Sequence, residues 1–109
     1  MQLNKAQVNW DSLGFDLIKT RSMYSAKCHI GENWSKGSLI PFGNIELSPA
    51  AVVLNYAQGV FEGTKAFHTS DNRIVLFRID KNAKRMEWST KRLCIPQINS
   101  EFFVDLVIS

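Results

Sequence analysis

The chain is poor in the residues that staple or metallate small folds. It has 109 residues with two cysteines and two histidines, and neither Cys28 nor Cys94 belongs to a CxxC or other zinc spacing. That excludes a disulfide scaffold and a structural zinc site, and leaves two free thiols expected to be buried in a reducing compartment. His29 and His68 have no second ligand at helical or hairpin spacing, and Cys28 and His29, adjacent on a strand, face opposite ways. No apolar run approaches the roughly 18 residues of a membrane span. The opening MQLNKAQVNW lacks the apolar core of a secretory signal, so the expectation is a soluble intracellular protein with no membrane partner. Charge of one sign is also scarce: 13 Lys and Arg against 10 Asp and Glu leave only +3. This is too little to argue for nucleic acid, and no RNP1-like string accompanies Phe67 and Phe77. No carboxylate pair stands out, because Asp71, Asp80, Glu87, Glu101 and Asp105 each fit a turn, a cap or a solvated face.

What is present is the composition of one globular domain, 45% apolar and 11% aromatic, with no repeat, linker or low-complexity tract. A compact chain of this length has a radius of about 13 Å and room for a real core. Residues 1–22 read as an arm of little regular structure that packs on another surface, and residues 23–109 as a single domain. MYSAKCH, from Met23 to His29, alternates as a strand does. Lys36 to Leu47, broken by a proline and two glycines, reads as short irregular strands, and Ser48-Pro49 as a helix or turn start. TKAFH and RIVLFR flank the turn formers Thr69-Ser70-Asp71-Asn72 and predict a β-hairpin over 64–78. Asp80 is expected to cap a helix over 81–94 whose apolar face is Ala83, Met86, Thr90 and Leu93, stopped by Pro96. Asn99 is expected to cap a further helix bearing Phe102, Phe103, Leu106 and Val107, cut off at the carboxyl end of the chain. The fold class is therefore α+β, a mostly antiparallel sheet with its hairpin packed against helices.

Two features carry chemistry. The helix over 81–94 has a basic face of Lys81, Lys84, Arg85, Lys91 and Arg92, and Arg85, three residues past Asn82, is placed to grip a phosphate through its planar fork of donors. An ordinary solvated face is the other reading of that pattern. In Asn55-Tyr56-Ala57-Gln58-Gly59-Val60-Phe61-Glu62-Gly63, two glycines bracket an aromatic, a pattern equally suited to a turn where backbones approach closely.

The string NYAQGVFEGTKAF, followed by IVLFRIDKNAKRM and KRLCIP, resembles the amino-terminal small domain of branched-chain amino acid aminotransferases, pyridoxal phosphate enzymes of fold type IV. LGFDLIKTRSMYSAKC and PFGNIELSPAA extend the resemblance upstream, so that it runs from about Val8 to Val107. Several blocks in the family's order are far more specific than one motif. The resemblance implies that Arg85 holds the cofactor phosphate. It also implies that Phe15, Tyr56 and Phe61 line an apolar substrate pocket, with Lys65 as a basic residue beside it. Burying a branched side chain in such a pocket is worth roughly 1.5 to 3 kcal/mol.

Further implications concern the complete enzyme: transamination of leucine, isoleucine and valine with 2-oxoglutarate, pyridoxal phosphate as cofactor, a homodimer, and a home in cytosol, mitochondrion or plastid. The family's cofactor-bearing lysine lies downstream of the matched blocks, so this chain alone is expected to be inactive and to bind the cofactor weakly or not at all. Lys27 is a decoy for it, since its surroundings match the family's first strand. The sequence departs from the family pattern at Ala57, where glycine is usual, at Ile79, where proline is common, and at His68, where a basic residue is usual. The Ala57 change matters if that backbone needs positive φ. A different class of function also fits the domain, a non-enzymatic interaction or dimerisation module.

Overall fold

A computed structural model describes residues 8–109. Residues 1–7 of the expected arm lie outside the described part. The rest of the arm carries one short 3₁₀ turn, Trp10–Ser12, in which the Asn9 side chain accepts from the Asp11 N–H at 3.2 Å. Val8 is half-buried and every residue from 9 to 21 is exposed.

The expected antiparallel strands form two separate two-stranded sheets. Strand β1 (Ser22–Ser25) pairs with β2 (Ser38–Pro41), with Met23 opposite Ile40 and Tyr24 opposite Leu39. β1 is shorter than the alternation predicts, because Lys27 N–H donates to the Ser35 hydroxyl at 2.9 Å and Ser35 N–H to the Lys27 carbonyl at 2.8 Å, which turns the chain into a loop. Gly37 is required there. Its φ is +69°, and an added Cβ would lie 2.6 Å from the Ser25 carbonyl oxygen and from the Tyr24 ring.

After a five-residue helix α1 (Val52–Tyr56) comes the predicted hairpin, β3 (Ala66–His68) and β4 (Ile74–Leu76), with Phe67 opposite Val75. Its turn is held by the residues that marked it. Thr69 N–H donates to the Arg73 carbonyl at 2.9 Å, Arg73 N–H returns to the Thr69 hydroxyl at 2.9 Å, and Asn72 supplies the left-handed backbone at φ 67°.

Helix α2 (Ile79–Arg92) begins two residues earlier than the sequence predicts. Arg78 occupies the N-cap in a left-handed conformation and Asp80 lies inside the first turn, paired to the Arg78 guanidinium at 3.1 Å rather than capping. The carboxylate there still complements the helix dipole, as do Lys91 and Arg92 in the last turn. The far end closes as a Schellman motif around Cys94 at φ 55°, with Ile95 N–H donating to the Thr90 carbonyl at 3.0 Å and Cys94 N–H to the Lys91 carbonyl at 3.2 Å. This geometry turns Cys94 outward, and Cys28 is only half-buried, so the expected pair of buried thiols is not found.

Helix α3 (Ser100–Ile108) starts as predicted at Asn99, whose side chain accepts from the Phe102 N–H at 2.8 Å. The principal packing partner of α2 is α3 rather than the hairpin. Ala83 and Thr90 on the predicted face of α2 and Phe103 on α3 are the buried residues, and the Thr90 hydroxyl is satisfied by the Met86 carbonyl at 2.9 Å. Glu87 joins the two helices by accepting from the Ser100 hydroxyl at 2.7 Å, a structural role in place of the solvated one expected.

Candidate functional site

The NYAQGVFEG segment and α2 define the site. Gln58 donates to the Leu93 carbonyl at 2.8 Å, near the end of the helix, and Asn82 in the first turn donates to the Gly63 carbonyl and to Glu62, each at 2.8 Å. The segment is thus fastened to α2 at both of its ends, by Gln58 near the end of the helix and by Gly63 in its first turn.

The Glu62 carboxylate is the centre of the second fastening. Its side chain is only 8% exposed, while that of Arg85 is 62% exposed. Arg85 donates to it through Nε at 3.1 Å and again through Nη2. These hydrogen bonds, followed by those from Asn82 and Gly63 and the Arg85 charge, hold the Glu62 carboxyl below the ordinary glutamate value of 4.5, against the opposing effect of burial. The same pairing raises the Arg85 guanidinium. Because Glu62 takes only the Nε side of the fork, the outer edge, Nη1 with the second Nη2 hydrogen, has no acceptor among the described residues.

Beside this pair lies an open groove of about 450 Å³ lined by Gly63, Thr64, Lys65, Phe67, Phe77 and Asn82. Lys65 and Asn82 thus share one depression. Lys27 lines another cavity, with His29, Glu32 and Asn33, that has no residue in common with it. The donor set fits the phosphate arm of pyridoxal phosphate: a permanent cation with a free two-donor edge, an ammonium on the adjoining groove, and solvent access for an anion.

The three aromatic candidates are not gathered into a pocket. Phe15 stands fully exposed on the arm, Tyr56 at the end of α1 is 82% exposed, and Phe61 on the fastened segment is 92% exposed. The Ala57 departure falls on a left-handed backbone, φ 52°, the conformation for which the family's usual glycine is suited. The sequence names Arg85 as a candidate without its partner Glu62, for which a glutamate beside the second glycine of that block is the signal available.

Among the described residues no group of three or more His, Cys, Asp or Glu could hold a metal ion. No helix among them is long and apolar enough to cross a membrane.

No family model matches the chain. Curated relatives do, over most of its length. Over 102 residues, 94% of its length, it is 51% identical to branched-chain amino acid aminotransferase 2, chloroplastic, of Humulus lupulus. Over the same share it is 47% identical to branched-chain-amino-acid aminotransferase 6 and 42% identical to methionine aminotransferase BCAT4, both of Arabidopsis thaliana. The chain is a homologue of the branched-chain amino acid aminotransferases across this stretch. It spans 25 to 29% of the length of these three relatives.

Proposed function

We propose that the chain acts as the amino-terminal small domain of a branched-chain amino acid aminotransferase, contributing one phosphate ligand and part of an apolar substrate pocket to a homodimeric enzyme. The observation that carries the reading is Arg85. In this reading it matches the family's phosphate arginine, and its outer donor edge, without an acceptor among the described residues, lies on the helix that lends Asn82 to a groove lined also by Lys65.

Pyridoxal phosphate, when bound, supplies an electron sink for the carbon that loses its α-proton. Arg85 would bind the phosphate through two parallel N–H bonds and fix its orientation. Lys65 would add positive charge on the groove side. Phe15, Tyr56 and Phe61 would exclude water from a leucine, isoleucine or valine side chain once the remaining three-quarters of the enzyme covers them. The proton-carrying lysine belongs to that remainder in this reading, so the chain on its own retains pyridoxal phosphate weakly and forms no product.

The test joins the chain to the carboxyl-terminal remainder of the Humulus lupulus relative and follows oxo-acid formation from leucine and 2-oxoglutarate. Turnover by the fusion, with none by the separate chain, supports the reading. Turnover by the chain alone, or a folded fusion with no activity, overturns it. The second reading, an interaction module, is favoured by the large apolar side chains left exposed, among them Trp10, Phe61, Phe77 and Trp88. Stable self-association of a catalytically inert fusion would select it.

A further inference from the structure

Glu62 is the one carboxylate in the described salt bridges that is almost fully buried; Asp71 and Asp80 pair with arginines while more than half exposed. A buried carboxylate needs its partners, and Glu62 has three side-chain donors, two on Arg85 and one on Asn82. Asn82 is itself locked, because the same amide nitrogen also reaches the Gly63 carbonyl at 2.8 Å. Glu62 is thereby fixed from one turn of α2 and grips Arg85 one turn further on.

The grip has a direction. A guanidinium offers two edges for bidentate bonding, the Nε–Nη2 side and the Nη1–Nη2 end. Glu62 occupies the side, which leaves the end pointing outward and stops the long side chain from sampling its other rotamers. We propose that Glu62 is a positioning residue, a buried carboxylate that fixes the Arg85 guanidinium side-on so that its end edge is presented, preordered, to a phosphate group. This rests on the assignment of Arg85 to a phosphate, and deepens it by naming the group that orients the arginine.

The proposal predicts a sign that simple electrostatics does not. Removing a negative charge next to Arg85 should by itself strengthen anion binding. Removing an orienting clamp should weaken it, by about three- to tenfold for one freed long side chain. The experiment titrates inorganic phosphate into the full chain and its variants. ¹⁵N NMR follows the Arg85 Nε–H and the Gly63 and Thr64 amides.

In the parent chain the Arg85 Nε–H should exchange slowly with water, and phosphate should shift the three signals saturably. Glu62→Gln should speed that exchange and weaken phosphate binding, and Glu62→Asp, which keeps the charge but retracts it by one methylene, should fall between. Should Glu62→Gln fail to fold, Glu62→Asp alone carries the comparison. Arg85→Ala should abolish the saturable shift at Gly63 and Thr64. A parent chain that gives no such shift, or an Arg85→Ala chain that still gives it, overturns the phosphate role of Arg85 and this proposal together. Phosphate binding through Arg85 that is unchanged or tighter in the Glu62 variants overturns the positioning role alone.

Discussion

Single residues in this chain show backbone geometry and charge acting against side-chain preference. Ala57 holds a left-handed φ of 52°, which puts its Cβ near the following carbonyl at a cost of about 1–2 kcal/mol. Glycine relieves that cost and loses roughly 0.5–1 kcal/mol to its freer unfolded state. Ala57→Gly should therefore leave stability level or raise it by up to about 1.5 kcal/mol, read as a higher melting temperature; a clear fall in melting temperature would count against the strain. Glu62 gives the pH-dependent counterpart. Its folded pKa lies below 4.5 because Arg85 and Asn82 hydrogen-bond the charged form. The stability it contributes is fully present above that ordinary value and is lost as pH falls through the lowered one. Acid unfolding should accordingly cost the parent chain more stability below about pH 4.5 than it costs Glu62→Gln, with Asp71 and Asp80 contributing equally to both. Parallel acid profiles would show that the pairing does not form in solution.

Elements follow their local signals where the signal is a cap, a turn or a period. Asn99 closes the start of α3 through the Phe102 N–H, so Asn99→Ala should destabilise the chain by about 1 kcal/mol, measurable by urea denaturation; a change near zero would mean that packing alone holds α3. The hairpin and the Ala83–Thr90 face were legible for the same reason: turn chemistry and the 3.6-residue period are short-range. Other features were not. Asp80 has a capping side chain, yet the nearby Arg78 guanidinium takes it and lets the helix start earlier. The fastening of Gln58 to Gly63 onto α2 also has no local signature, since its anchors, Leu93 and Asn82, lie 35 and 20 residues away from Gln58 and Glu62.

The whole molecule is more open than its composition predicts. The radius of gyration is 16.0 Å, against the roughly 13 Å of a compact chain of this length. The accessible surface is 9975 Å², against about 6,100 Å² for a compact monomer of this mass. The apolar residues that should have made a core are present but face outward, Phe15, Tyr56 and Phe61 among them. Such a surface should bind a hydrophobic dye strongly, and joining the chain to the remainder of a relative should suppress that binding; equal dye binding by the fusion would mean that the apolar face is not covered there. In the same fusion Arg85→Ala should weaken pyridoxal phosphate retention at least about tenfold, as the loss of a charged hydrogen bond requires, read by equilibrium dialysis. Unchanged retention would remove Arg85 from the phosphate site.

The sequence by itself determined the α+β class, the hairpin, the existence of α2 and α3 and the kinship with branched-chain amino acid aminotransferases. Each of these rests on short-range pattern or on the order of motifs along the chain. Tertiary structure alone decided that Glu62 clamps Arg85, that the motif segment is fastened to α2, and that the aromatic candidates stand apart. Those outcomes depend on which distant groups meet. A hydrogen bond across 23 residues, such as Arg85 to Glu62, or the want of a covering surface over Phe61, leaves no trace in local periodicity.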